Sequence, residues 1–406
     1  MLQSAGFPAG LRSESRRSAA RSTSVDRWVL RRIQACVPRA RLRFQLWDGF
    51  ELMPLGAPPV GTLRFVHRAG LYGLLWDPEL HLGEAYMSGA LAIDGDLEQV
   101  LEEIYRTFGD PRRAWRHPYR RHDQQASRAN VHCHYDLGNA FYALWLDAAL
   151  VYTCAYFPAP EATLEQAQNA KLDRVCRKLR LAPGERVIEA GCGWGALALF
   201  MARHYGVRVR AFNISNAQLA FARERADREG LAGLVEFIED DYRNITGTCD
   251  AFVSVGMLEH VGADQYDGLG ALIGRLLTPS GRGLVHFIGR DRAAPLNPWI
   301  RKRIFPGAYA PTLGEVCDRV LQPHGLSVLD VENLREHYAT TLRHWRSRFD
   351  AAEREVASTF DERFVRAWRL YLAGSQAAFA SGWMQLFQIV FARSGSPNVP
   401  WSRATS

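Results

Sequence analysis

From about Ala182 onward the chain repeats one pattern. Short, nearly continuous apolar runs, "RVIEAG", "RVRAFNIS", "LVEFIED", "CDAFVSVGMLEH", "GRGLVHFIG" and a later "LSVLDVENL", are separated by stretches with helical spacing of apolar residues. The runs read as strands buried on both faces, and the intervening stretches as helices packed on them. Strict alternation of the two predicts an α/β fold, a parallel sheet flanked by helices on both faces. The stretch "FVRAWRLYLAGSQAAFASGWMQLFQIVFAR" reads as amphipathic helices closing the chain. Upstream, from Ile33 to about Thr107, the pattern differs. Strand-like "RLRFQLWDG" and "GTLRFVH" precede "DLEQVLEEIYRTF", where Leu97, Val100, Leu101, Ile104 and Tyr105 share one helix face and Asp96 can cap it. That is the pattern of a small α+β module. The polar, arginine-rich "GDPRRAWRHPYRRHDQQASRAN" that follows has little periodicity and reads as a linker.

The expected division is a basic tail over 1–30, an α+β domain over 31–110, a linker over 111–130, the α/β domain over 131–395 and a short tail over 396–406. A net charge of +7, mostly from arginine, suits anionic partners such as nucleic acid or phospholipid head groups, without choosing between them. No run approaches the ~20 apolar residues that cross a bilayer, so membrane contact is expected to be peripheral. The first residues lack the apolar segment of a secretory signal. The seven cysteines are scattered, which favours free thiols in a reducing cytoplasm over disulfides or a structural zinc.

Chemistry enters at "VIEAGCGWGALALFMARHYG", where an apolar strand gives way to a helix through Gly191, Gly193 and Gly195. Such a turn lets a ligand approach the backbone, and nicotinamide and flavin enzymes use it too. Two details weaken a dinucleotide here. The spacing is G-x-G-x-G, and the next strand ends "AFNIS" without the acid that usually grips a ribose. S-adenosylmethionine fits better, having no pyrophosphate to seat. Asp241 and Tyr242, at the end of the third strand, stand where an adenine could meet a carboxylate and an aromatic face; an ordinary strand end with a solvated acid is the alternative.

The stretches "HYDLGNAFYALWLDAALVYTCAYF", "GCGWGALA", "SVGMLEHVG", "FPGAYAPTL", "ENLREHYATTLRHWRSRF" and "RLYLAGSQAAFASGWMQLFQIVFAR" are long, ordered and specific. Together they resemble the cyclopropane-fatty-acid synthase family of S-adenosylmethionine-dependent methyltransferases, over roughly residues 130–393. "GEAYMSGALAIDGDLEQVL" resembles the N-terminal, lipid-associated domain of that family. The resemblance implies a class I methyltransferase, Rossmann-like sheet and addition of a methylene group across a cis double bond of a phospholipid acyl chain. It also implies a bicarbonate ion that removes the proton released on ring closure. By motif position the ion's cradle is Cys154, Glu259, His286, Ile288 and Tyr338. The cofactor contacts carried over are Tyr152, Thr153, Gly191, Gly193, Ile214, Gln218 and Tyr242, beside Glu189 and the Asp241 noted above. The implied partners are a phospholipid surface at the inner face of the membrane, unsaturated acyl chains and, as one option, a second copy of the chain, but no nucleic acid.

Three positions depart from the family's usual pattern: Glu189 stands for Asp, Ala196 for Gly and Thr153 for Ser. Glu189 lengthens the side chain by one methylene, and Thr153 keeps the hydroxyl. Cys154 is expected to be a packing residue rather than a nucleophile, because the chemistry needs no covalent step. His132 and His134 lack an evident third ligand and are read as structural, so no metal is expected. No G-x-S-x-G elbow of a serine hydrolase occurs. Two other readings remain: a methyltransferase making branched lipids or using a small acceptor, and a lipid-binding relative without activity.

Overall fold

The computed structural model describes residues 21–54, 56–107, 137–397 and 399–400. They form two compact units, and the chain passes between them more than once. The first unit combines the N-terminal residues with Asn297–Ile304 and Trp345–Trp383; the second holds the remainder.

In the first unit, α1 (Ser24–Gln34) precedes a sheet of β1 (Leu42–Gln45), β2 (Glu51–Leu52), β3 (Gly61–Phe65) and β4 (Leu91–Gly95) in the order β2-β1-β3-β4. Helices α2 (Arg68–Trp76), α3 (Pro78–Met87) and α4 (Leu97–Thr107) belong to it too, with the helices of the two later segments. Asp96 caps α4 as expected, its Oδ1 accepting from the Gln99 N–H at 2.9 Å. The boundary expected at residue 30 falls inside α1. A reciprocal capping box between Thr23 and Asp26 starts that helix, and Val29, Leu30 and Ile33 enter the core. The expected α/β domain over 131–395 is likewise interrupted, since Asn297–Ile304 and Trp345–Trp383 group with the first unit. Trp299 shows why: its indole lies where a Cβ on Gly83 of α3 would stand, 2.4 Å away. Linker residues 111–130, His132, Cys133 and His134 lie outside the described residues, as do 1–20 of the expected tail.

The second unit is built on seven strands: β5 (Arg186–Ala190), β6 (Arg208–Asn213), β7 (Val235–Glu239), β8 (Cys249–Val255), β9 (Leu277–Gly289), β10 (Leu326–Asn333) and β11 (Gln385–Arg393). Their order is β10-β11-β9-β8-β5-β6-β7. Neighbours from β9 to β7 run parallel, and β11 runs antiparallel to both β9 and β10. Alternate residues feed two cores. Val187, Leu284 and Val390 pack with α5 (Leu164–Lys178), α6 (Ala196–Tyr205) and α7 (Asn216–Arg228); Ile188, Val285 and Ile389 pack with α8 (Tyr266–Leu276) on the other face. Each fully buried aliphatic side chain contributes roughly 1.5–3 kcal/mol, so burial on both faces holds the sheet.

One element was misread from sequence. The end of "GWMQLFQIVFAR" is not helix but β11, buried along nearly its whole length between β9 and β10. A short apolar run carries no period that separates a buried strand from a buried helix, and here the β-branched Ile389 and Val390 point to the strand. The preceding helix, Glu362–Ala380, is as expected. Among the described residues no helix is long and apolar enough to cross a membrane.

Candidate active site

The sheet reverses its order of connection at β5, whose neighbours are β6 and β8, and a crevice opens beyond the carboxyl ends of these strands. All nine residues expected to hold the cofactor line one cavity there: Tyr152, Thr153, Glu189, Gly191, Gly193, Ile214, Gln218, Asp241 and Tyr242.

The glycine turn is shaped by positive φ and by crowding. Gly191 has φ +84°, and a Cβ on it would come within 3.0 Å of Met257 Cβ; Gly195 has φ +80°, and its Cβ would lie 2.6 Å from the Phe237 ring. Gly193 differs. A Cβ there meets nothing within 4 Å, so this glycine keeps the cavity open. The Gly191 and Cys192 N–H groups both donate to Phe212 O, at 2.9 and 3.1 Å, which ties the turn to the end of β6.

Asn213 organises that end, in place of the missing acid. Its Nδ2 donates to Gly193 O at 3.2 Å and to Gln218 Oε1 at 2.8 Å, and its Oδ1 accepts from the Ile214 N–H. Gln218 therefore presents its amide nitrogen elsewhere, a donor suited to a ribose hydroxyl. At the end of β7 Asp241 is buried, its carboxylate accepting from the Arg243 backbone and guanidinium at 3.0 and 2.9 Å. The solvated-acid alternative is thereby excluded. Tyr242 is largely buried, its hydroxyl without a hydrogen-bond partner, and burial pushes the phenol up to about 12.

The wall opposite comes from α5. Lys171 is 2% exposed and donates to Thr153 Oγ1 at 2.9 Å, while Gln168 donates to Thr153 O and Val151 O. Burial lowers the Lys171 ammonium and raises the Glu189 carboxyl, and the opposite charges pull each back. Glu189 Oε2 has no hydrogen-bond partner. Tyr152 sits in an aromatic cluster, 5.5 Å from Tyr142 and 5.2 Å from Trp145 between ring centres.

None of the five expected catalytic residues is among those lining the cavity: Glu259, His286 and Ile288 lie at the ends of β8 and β9, and Cys154 and Tyr338 lie beside Leu334, at the start of the helix after β10. Glu259, in the short helix Leu258–Val261 after β8, is buried, and its Oε1 accepts from the Ile288 N–H at 2.5 Å. The Ile288 amide, expected to donate to an ion, is thus engaged by Glu259, because the carboxylate sits directly over the end of β9. Glu259 Oε2 is buried without a partner, and burial pushes its carboxyl up to about 7. His286, two residues back along β9, is also buried, with Nε2 unpartnered; burial holds it well below its usual range. The Gly256 N–H donates to His286 O at 2.8 Å, a backbone link between β9 and a residue of the cavity wall.

Cys154 is buried beside the start of the helix α9 (Arg335–Ala351). Its Sγ lies 3.1 Å from Ala155 O and 3.9 Å from Leu334 O, and the Ala155 N–H donates to Thr341 Oγ1. Burial pushes its thiol up, so it is no thiolate. The buried Tyr338 lies one turn into α9, and the Leu334 N–H donates to Leu386 O on β11, whose register partner is Ile288. Lys171, Asn213 and Gln388 escaped sequence reasoning. A signal existed for Lys171, a cation among the apolar positions Ala167, Leu172 and Val175 of one amphipathic helix.

The family model for mycolic acid cyclopropane synthetase matches residues 122–389. The chain belongs to this family. Its members are S-adenosylmethionine-dependent methyltransferases, and the sheet described above is the class I methyltransferase fold. A second model, a domain of unknown function, matches residues 37–110. The chain is 38% identical to a probable fatty acid methyltransferase of Pseudomonas putida, over 89% of this chain and 95% of that one. It is 42% identical to the cyclopropane-fatty-acyl-phospholipid synthase of Escherichia coli, over 64% of this chain and 66% of that one. A solved mycolic acid cyclopropane synthase, complexed with SAH and CTAB, aligns with a TM-score of 0.62 at 30% identity, covering 65% of this chain and 97% of its own.

Proposed function

We propose that the protein adds a methylene group across a cis double bond of an unsaturated phospholipid acyl chain, closing a cyclopropane ring. The observation that carries this reading is two buried polar atoms without partners, Glu259 Oε2 and His286 Nε2, on residues adjoining the cavity lining: Glu259 is next to His260 in the chain, and the His286 carbonyl accepts from the Gly256 N–H. Simple methyl transfer to a nitrogen or oxygen has no need of such a pair in a dry site. Ring closure does, because the transferred carbon must lose a proton where water cannot quench a cation.

S-adenosylmethionine, when bound, supplies an electrophilic methyl group. Its fit rests on the open side of Gly193, the Gln218 amide and the unpartnered Tyr242 hydroxyl and Glu189 oxygen. Bicarbonate would need both a donor and an acceptor. His286 can donate to an oxyanion, and Glu259, with a carboxyl near 7, can take the ion's O–H and so raise its basicity as the proton-accepting oxygen. Glu259 also fixes the Ile288 backbone, so the carboxylate and the end of β9 keep one geometry.

A second reading is methyl transfer that leaves a branched chain. The Pseudomonas putida relative, a probable fatty acid methyltransferase matched over 89% of this chain, favours it. In either case the acyl chain must be drawn from a lipid surface, and the excess of arginine suits an anionic one. Incubation of the purified chain with vesicles of a cis-unsaturated phospholipid and S-adenosylmethionine tests the proposal. The expected lipid gains the mass of one CH2 and resists catalytic hydrogenation. A heavier lipid that still takes up hydrogen, or no heavier lipid, contradicts it.

A further inference from the structure

Three strands carry a line of polar side chains through the sheet. In register, Glu332 of β10 faces Gln388 of β11, and Gln388 faces His286 of β9. Lys178, at the end of α5, joins them: its Nζ donates to Glu332 Oε2 at 2.6 Å and to Gln388 Oε1 at 2.7 Å, with Asp330 at 4.0 Å. Arg174 clamps Glu332 from the same helix, at 2.6 and 3.1 Å. Gln388 is wholly buried, Lys178 and His286 nearly so.

The chemistry of the donors leaves one arrangement. An ammonium can only donate, so Gln388 must turn its carbonyl oxygen to Lys178. The amide nitrogen then faces His286 Nδ1, 3.0 Å away, and can only donate to it. An Nδ1 that accepts carries no proton, so the ring's single proton sits on Nε2, the buried atom without a partner. We infer that Lys178 and Gln388 are positioning residues that lock His286 as its neutral Nε2–H tautomer, making it a fixed hydrogen-bond donor toward the reacting centre. The relay's catalytic meaning rests on the proposed function; the tautomer does not. Burial and the nearby Lys171 and Lys178 charges also keep the imidazole neutral. Such supporting partners fix the orientation and protonation of a working histidine much as they do for metal-bound ones.

Long-range proton–nitrogen NMR on the full chain, labelled at histidine nitrogen, tests this. The His286 signal is expected as a neutral imidazole protonated at Nε2. In Gln388→Glu a carboxylate accepts from the ring, and the proton is expected to move to Nδ1. Product formation then falls roughly 10- to 100-fold, with the Kd for S-adenosylmethionine unchanged. Lys178→Arg, which can still donate to the amide oxygen, is expected to keep the parent tautomer and most activity. An Nδ1–H or imidazolium signal in the parent protein overturns the inference, and that measurement stands even if Gln388→Glu does not fold. A proton that moves in Gln388→Glu without loss of product overturns the positioning role. A parent protein with the Nε2–H signal but no lipid product supports the relay and overturns the proposed activity.

Discussion

The two halves of the site are made differently. The cofactor side, beyond β5, β6 and β7, is shaped by backbone: glycines at positive φ, carbonyls that seat Asn213, and strand ends that follow each other closely in sequence. The chemical side, beyond β8, β9 and β11, is made of buried side chains brought together from distant parts of the chain. Cys154 meets Leu334 across 180 residues, and His286 meets Gln388 across 102. Shape on one side tolerates change wherever the backbone survives. Buried, unpartnered charge and polarity on the other side do not, since each atom costs stability unless it is used.

Separating the halves gives the largest expected effect. Glu259→Gln keeps an oxygen to accept from the Ile288 N–H but loses the basic carboxylate, so product formation should fall by about 100- to 10,000-fold, while a calorimetric titration shows cofactor uptake as in the parent. Equal loss of both would break the comparison. The converse variant is Gly193→Leu. Its side chain enters open cavity space, and φ +53° costs only about 1–2 kcal/mol, so the Kd for S-adenosylmethionine should weaken roughly tenfold or more with the melting transition nearly kept.

The pH profile sharpens the division further. On the proposed reading Glu259 must be ionised to accept a hydrogen bond from the ion's O–H, and its carboxyl is raised to about 7, so kcat/KM should rise with pH through that value, and Glu259→Gln should lack this limb. Stability runs the other way. Against the ordinary 4.5 of the unfolded chain, the raised carboxyl favours the fold at low pH and loses that contribution as pH rises through about 7. Glu259→Gln should therefore melt higher than the parent at about pH 8. The smallest effect is expected at Cys154→Ser, a few-fold loss of activity, because the buried, protonated thiol serves packing.

The same contrast explains what was legible in the sequence. The glycine turn, the strand ends and the alternating sheet follow local rules of period and conformation, and "VIEAGCGWG" could be read by eye. Glu259 and His286 were placed by family resemblance, not by pattern, because nothing in "MLEHVG" or "LVHFIG" shows that the two share an end of the sheet. Gln388 was hidden twice. It lies in a stretch read as helix, and its role depends on a register between β9 and β11 that no local pattern encodes. Lys178 looked like an ordinary basic residue in the last turn of a helix. The segments that join the first unit, Asn297–Ile304 and Trp345–Trp383, carry no compositional boundary, and only packing such as Trp299 against Gly83 assigns them.

The central claim is that the transferred carbon loses a proton inside the site. Supplying S-adenosylmethionine with a fully deuterated methyl group and weighing the lipid product tests it most directly. The account predicts that two of the three deuteriums remain in a ring. A product that keeps all three would show methyl transfer without ring closure, and would contradict it.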